Sequence, residues 1–189
     1  MNSPRITAAK LLLRNKLRQS LQPISRLDKR KKSQTITGKV LKHPYFKKAV
    51  NIVTYIGLLG EVQTRDLVLK ALKMKKNIFI PRIDLARKEI KIYQIRNWKT
   101  DLRKRTYGIL EPKPAPKRLG DVKQIDLVIA PGLGFDRSGR RLGRGGGYFD
   151  RFLSRAQKAK KIGLAFREQI ISRIPTGNHD VRMDCVITD

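Results

Sequence analysis

IDLVIAPGLGFDRSGRRLGRGGGYFDRFL (residues 125–153) decides how the chain must fold. Ile125-Asp-Leu-Val-Ile-Ala130 is short, apolar and β-branched, the pattern of a buried strand. From Tyr148 to about Ala159 the apolar positions recur at helical spacing. Between strand and helix, from Gly132 to Gly147, lie seven of the fourteen glycines. In α/β proteins ligands bind outside the carboxyl ends of the strands, where this loop falls. Glycines let backbone N–H groups converge on an anion, and the next helix N-terminus adds a favourable dipole. Arg140, Arg141 and Arg144 bring positive charge to the same loop. No Gly-Lys-Ser/Thr ends it, so it is not a Walker loop. A phosphate-binding loop and a flexible surface turn both fit the glycines; the strand–loop–helix setting and three arginines favour phosphate.

Working outward, residues 49–56 (AVNIVTYI) read as another buried strand, followed by a loop from Gly57 to Gly60. Thr64 can cap a helix with Leu67, Val68, Ala71, Leu72 and Met74 on its apolar face. Asn77 to Ile80 is a strand stopped by Pro81, and residues 90–95 form a further strand. Residues 97–120 hold Trp98, Tyr107, Gly108, Pro112, Pro114 and Pro116 and read as a long loop. Residues 162–166 and about 182–188 complete the strands. At the N-terminus, Ser3-Pro4 opens a helix to about Leu21, with Lys10, Arg14 and Arg18 on one face. Ser25 with Asp28 opens a second, very basic helix that ends before Pro44. Strands alternating with helices predict one α/β domain over residues 1–189, with a mainly parallel sheet flanked by helices.

The chain has 189 residues, with 44 Lys+Arg against 15 Asp+Glu, a formal net charge of +29. No apolar run approaches the ~20 residues of a membrane helix, and no secretory signal opens the chain. One cysteine, Cys185, excludes an intramolecular disulfide and a cysteine-built zinc site. A soluble cytoplasmic protein is expected. The charge attracts polyanions, nucleic acid among them, and anionic small substrates equally. Six Phe, five Tyr and one Trp give a base-stacking surface few side chains to use.

Among acidic residues, Asp136 and Asp150 flank the glycine loop, and Asp180 follows His179. Mg²⁺ takes one or two carboxylates and otherwise water and phosphate oxygens. Asp150 and Asp180 could therefore hold a Mg-nucleotide, while Asp150 equally suits a first-turn helix position. His179 reads as a hydrogen-bonded loop residue. Glu61, at the end of the first strand, could accept from a substrate N–H or stand in solvent. Lys10 and Arg14 are otherwise a solvated helix face, and Cys185 a small apolar residue in the last strand.

Taken together these segments resemble the 5-formyltetrahydrofolate cyclo-ligase family, also called 5,10-methenyltetrahydrofolate synthetases. PGLGFDRSGRRLGRGGGYFDRFL is similar to the family signature. Lys10-Leu-Leu-Leu-Arg14 resembles its N-terminal Lys-x-x-x-Arg helix. Gly60-Glu61-Val-Gln-Thr64, Pro81-Arg82, Tyr107 to Pro112, Gly163 to Phe166, Gln169, Pro175, His179-Asp180 and Asp184 also fit, in order along the whole chain.

The resemblance implies that ATP and Mg²⁺ drive cyclisation of 5-formyltetrahydrofolate to 5,10-methenyltetrahydrofolate. The formyl oxygen is phosphorylated, the N10 amine attacks, and ADP and phosphate are released. It implies ATP contacts from Lys10, Leu11, Leu12, Leu13 and Arg14, and from Arg141, Leu142, Gly143, Arg144, Gly145, Gly146, Gly147, Tyr148 and Phe149. Folate contacts would come from Arg14, Ile56, Glu61, Arg144, Gly145, Gly146, Gly147 and Tyr148. Arg144, Glu61 and Tyr148 would act in catalysis, and Asp150 and Asp180 would bind Mg²⁺. The folate would carry a polyglutamate tail or none. Two positions depart from commoner members: Gly146 stands where some have lysine, and Phe149 where tyrosine is usual. The alternative reading is a basic nucleic-acid-binding module without ATP turnover.

Overall fold

Ile52, Val53, Leu127, Val128, Ile129 and Ala130 are all at most 1% exposed. Such runs need cover on both faces, and the chain supplies helices to each. The computed structural model describes residues 4–104 and 110–189. Ser3, Tyr107 and Gly108 lie outside the described residues.

Helices α1 (Pro4–Ser20), α2 (Arg26–Lys42) and α3 (Pro44–Lys48) precede strand β1 (Asn51–Val53). Then come α4 (Arg65–Lys73), β2 (Asn77–Asp84), β3 (Glu89–Ile95), β4 (Leu102–Lys104) and β5 (Leu110–Pro112). β6 (Leu127–Ala130), β7 (Gly134–Asp136), β8 (Arg141–Leu142), α5 (Tyr148–Arg155), β9 (Lys160–Leu164), β10 (Ile170–Ile171) and β11 (Cys185–Ile187) follow. The main sheet runs β11-β9-β6-β1-β2-β3, with every pair parallel except β2–β3. The expected α/β architecture with a mainly parallel sheet is observed.

Strand alternation separates two cores. Ile52, Leu127, Ile129, Ile162 and Leu164 face Ile36, Val40, Phe46, Leu67 and Val68 of α2, α3 and α4. Val53, Val128 and Ala130 face Phe152 and Leu153 of α5, together with Phe135. Among the described residues no helix is long and apolar enough to cross a membrane.

Three expectations are corrected. The second strand does not stop at Pro81 but continues to Asp84, with Pro81 opposite Ile92. The Phe79 carbonyl accepts from Thr54 N–H of the chain leaving β1, so by alternation Pro81 turns its missing N–H to the same side. Pairing with β1 ends at Phe79, and the proline costs no ladder bond there. Residues 97–120 are not one loop, because β4 and β5 pair antiparallel. The glycine loop contains β7 and β8, which join β10 in a small second sheet. The second helix ends before Pro44 as expected, at Lys42, and Pro44 then opens α3 as its first residue, as a residue without an N–H can.

Asp136 holds this second sheet. Its carboxylate accepts from the backbone N–H groups of Ser138 (2.9 Å), Arg140 (3.0 Å) and Ile174 (3.0 Å). Burial works against its ionised form, but the donors of Ile174, Arg140 and Ser138 outweigh it and hold the carboxyl below its ordinary range. Asp136→Asn should therefore cost about 2–4 kcal/mol at neutral pH. A depressed folded-state pKa gives stability that is full above the unfolded value of ~3.9 and lost as pH falls through the folded one. Urea unfolding should show the gap between wild type and variant at pH 7 and its closing toward pH 3.

Candidate functional site

From β1 the chain moves to β2 on one side, and only later enters β6 on the other. Loops leaving the carboxyl ends of β1 and β6 therefore diverge and leave a crevice. The loop after β1 carries Glu61, and the loop after β6 carries Arg144. Arg144 Nε and Nη2 donate to one oxygen of Glu61, Oε1, at 3.0 and 2.9 Å. The other oxygen, Oε2, accepts from Leu58 N–H at 3.0 Å. Glu61's side chain is 7% exposed and Arg144's 48%. Gln63 Nε2 donates to the Leu58 and Glu61 carbonyls, and the Thr64 hydroxyl donates to the Tyr55 carbonyl. The carboxylate is thus fixed before any ligand arrives, while the arginine is half in solvent.

Helix α1 closes one wall. Lys10 and Arg14 are one turn apart and share a face. Lys10 Nζ meets Asp180 Oδ2 at 2.5 Å, and Arg14 Nε donates to the Gly143 carbonyl at 2.9 Å. Burial, with Arg18 nearby, lowers the Arg14 pKa from its usual height. Leu17, on the next turn, packs with Leu142 and Ile174 and anchors the helix. Leu11 and Leu12 point outward and are 55% and 71% exposed. Leu12 and Leu13 line a groove of about 660 Å³ whose other side is Arg140, Arg173, Ile174 and Pro175.

Within the loop, Arg141 is buried in β8. Its Nη2 meets Asp150 Oδ1 at 2.7 Å, Nη1 donates to the Pro131 carbonyl at 3.2 Å, and the guanidinium lies 5.7 Å from the Phe149 ring centre. The Nε atoms of Arg140 and Arg141 are buried without a partner, a donor surplus that suits an anion. Gly145 and Gly147 have φ of +118° and +66°, where L-residues are strained. Gly147 caps α5, which turns the helix N-terminus toward the loop. A Cβ on Gly146 would meet the Tyr148 ring at 2.8 Å. Positive charge still reaches that spot: Arg151 Nη2 donates to the Gly146 carbonyl at 3.2 Å and the guanidinium lies 5.0 Å from the Tyr148 ring centre. The Lys88 carbonyl holds the same guanidinium, accepting from Nε and Nη2 at 3.1 and 3.0 Å. Ile56 is partly buried, packed against the core behind the crevice.

The other polar candidates have these places. Asp136 is a structural acceptor. Asp180 lies in the stretch returning to β11, held by α1 through Lys10 and by Gly177 N–H at 2.6 Å. Asp150 and Asp180 have different cation partners, and no cluster of three His, Cys, Asp or Glu suited to a metal occurs among the described residues. His179 is exposed. Cys185 is half-buried, with its sulfur 3.7 Å from His43 Nε2, and burial and Asp184 raise its pKa.

Two residues near the crevice are not predicted by local pattern. Gln169 is 1% exposed and donates to the Gly132 and Leu133 carbonyls, so it sets the start of the glycine loop. Tyr55 buries a hydroxyl that has no partner, and burial, with the charge of Glu61, pushes its pKa well up. Its place beside Ile56 at the end of an apolar strand is the available signal.

This geometry can be set beside known proteins. The model of the 5-formyltetrahydrofolate cyclo-ligase family matches residues 6–189. A probable 5-formyltetrahydrofolate cyclo-ligase of Caenorhabditis elegans is 33% identical, over 96% of this chain and 93% of that protein. The 5-formyltetrahydrofolate cyclo-ligase of Mus musculus is 31% identical, over 96% and 94%. Among solved structures, the 5,10-methenyltetrahydrofolate synthetase of Aquifex aeolicus superposes with a TM-score of 0.82 at 30% identity, covering 94% of this chain and 88% of that one. With motifs, topology and family model in agreement over nearly its full length, the chain belongs to the 5-formyltetrahydrofolate cyclo-ligase family.

Proposed function

We propose that residues 1–189 act as one domain that cyclises 5-formyltetrahydrofolate to 5,10-methenyltetrahydrofolate with ATP and Mg²⁺. The observation that carries this reading is the crevice between β1 and β6. There Lys10, Arg14, Arg141 and Arg144 gather around glycine amides, with Glu61 facing them. A formamide oxygen is a poor leaving group, and ATP would supply the phosphoryl group that makes it a good one. Phosphoryl transfer needs positioning and charge neutralisation more than a protein nucleophile.

The residues divide accordingly. The partnerless Nε atoms of Arg140 and Arg141 and the amides of Gly143 to Gly147 would hold polyphosphate, with Lys10 and Arg14 above them. The groove beside Leu12, Leu13 and Pro175 would take the apolar part of the nucleotide; Leu11 points away from it. Glu61 would accept from folate N–H groups and keep the reacting amine in line. Arg144 reaches both sides and would neutralise charge on the transferring group, and Tyr148 would line the folate side next to Gly146. Ile56 would back the pterin.

The donor set also admits a magnesium ion, but only one shared with phosphate. Asp150 uses Oδ1 and Asp180 uses Oδ2 in their bonds, which leaves one carboxylate oxygen on each. Two such oxygens are too few for an octahedral ion at ~2.0–2.1 Å, so phosphate and water must complete the shell. Magnesium would there offset phosphate charge.

The direct test is the absorbance of the methenyl product after 5-formyltetrahydrofolate and Mg-ATP are added. Product should form, and its absence with folded protein would overturn the reading. Arg144→Ala should slow turnover at least tenfold, since hydrogen bonds to charged groups contribute roughly 1.5–3 kcal/mol. Steady-state kinetics of that variant at unchanged values would remove Arg144 from catalysis.

Glu61→Gln keeps the size and removes the charge. Folate affinity or turnover should fall while ATP binding, measured by calorimetry, is largely kept; equal loss of both would make Glu61 structural. Asp150→Asn and Asp180→Asn should each raise the Mg²⁺ concentration for half-maximal rate. A magnesium titration identical to wild type in both variants would exclude them as ligands.

A further inference from the structure

The net charge of +29 is not spent in the crevice. There Lys10, Arg141 and Arg144 are matched by Asp180, Asp150 and Glu61, and Arg14 binds the Gly143 carbonyl. Part of the surplus stands at the opposite, amino edge of the sheet. Lys47 and Lys48 precede β1, Lys73 and Lys75 precede β2, Lys123 precedes β6 and Lys158 precedes β9. All six are exposed, and none makes an ion pair among the described residues. Three carboxylates share this edge and are held by backbone N–H groups, Asp121 by that of Lys123 at 2.9 Å. Asp126 accepts from Val50 and Asn51 N–H at 2.9 and 2.8 Å, and Asp184 from Lys161 N–H at 2.7 Å.

Backbone geometry adds an independent observation. Lys75 has φ +57°, and it closes α4. Its N–H donates to the Leu72 carbonyl and the Lys76 N–H to the Ala71 carbonyl, the C-terminal motif that favours glycine at this position. The left-handed region costs an L-residue conformational energy that glycine does not incur. The chain thus keeps a lysine, whose charge suits a helix C-terminus, at a backbone position that favours glycine, a strain from which a role can be inferred.

We infer that this amino edge binds the phosphodiester backbone of a nucleic acid without reading its sequence, as an activity separate from the crevice. The strands β9, β6, β1 and β2 are neighbours, so their entry points span roughly 14 Å at ~4.8 Å per strand. That length covers several phosphates at ~3.4 Å of axis per nucleotide. Lysine binds phosphate as a point charge, and scarce aromatic residues leave little for base stacking. A membrane surface fits less well, because a helix on lipid must lay down an apolar face. Here Phe46 of α3 and Leu67, Val68 and Ala71 of α4 are turned into the core, and the exposed Val50 and Met74 form no helix face.

The test is fluorescence anisotropy of a labelled 20-nucleotide single-stranded RNA of mixed sequence, titrated with full-length protein at several salt concentrations. Binding should weaken steeply with salt and persist in saturating Mg-ATP. The variant K47A/K48A/K73A/K75A should bind at least tenfold more weakly at low salt. Its log–log salt slope should be shallower by roughly 0.7 for each phosphate the variant no longer neutralises, with cyclisation unchanged. Lys75→Gly separates binding from folding: it should melt at or above the wild-type temperature and still bind RNA more weakly. RNA that Mg-ATP displaces would belong to the crevice and overturn the inference. So would unchanged affinity in both variants, no RNA binding at all, or lysine-dependent binding to phosphatidylserine vesicles without binding to RNA.

Discussion

The parallel pairing of β1 between β2 and β6 is the constraint on which the rest depends. Because the chain leaves β1 in one direction and comes back on its other side, no connection crosses the carboxyl ends of these two strands. The opening is therefore a product of topology, and side chains have to bridge it. Arg144 and Glu61 do so from the two diverging loops. The same pairing puts β6 in the middle of the sheet with helices on both faces, which is why all four of its residues are buried and apolar. One strand order thus explains the most hydrophobic segment and the most polar site, which adjoin in sequence.

Electrostatics then decides how the opening behaves. Three cation–carboxylate pairs line it, and they are unequal. The Lys10–Asp180 and Arg141–Asp150 side chains are 7%/15% and 3%/18% exposed, whereas Arg144 is 48% exposed against 7% for Glu61. Removing one partner of a buried pair leaves a charge in low dielectric, a cost of several kcal/mol. Arg144 keeps much of its hydration and is the easiest to detach. An arriving polyphosphate can take Arg144 at little cost, and Glu61 is then a buried carboxylate in need of a donor. A folate N–H placed at Glu61 meets that need. On the proposed reading the same pair that closes the empty crevice couples its two ligands.

Much of this is legible in the sequence, for physical reasons that also mark the limit. Residues 125–130 and 49–56 read as strands because a doubly covered strand must be apolar throughout. Glu61, Arg144 and the glycines stand out because polar and conformationally permissive residues next to such a strand have few structural uses. The role of Asp136 is not legible, since a carboxylate that binds backbone N–H groups looks, in sequence, like any other acidic loop residue. The β7–β8–β10 sheet escapes notice because its strands have two or three residues, too few to show alternation. Pro81 reads as a strand end, although only the absence of a neighbour on one side makes it tolerable. Gln169 and Tyr55 act through tertiary contacts that no local pattern encodes.

The two edges of the sheet are nearly independent in electrostatic terms. β9 has five residues, Lys160–Leu164, and at ~3.3 Å each separates the edges by roughly 16 Å. The Debye length at physiological salt is ~8 Å, so an exposed lysine at the amino edge acts on the crevice only weakly. Charge at that edge therefore hardly tunes the pairs among Lys10, Arg141, Arg144 and their carboxylates, which are neutral as a set. It can act only on what touches the amino edge or passes close to it. Charge at that edge could change greatly while the crevice chemistry stayed the same, because the parallel sheet gives each edge its own loops and its own screening volume.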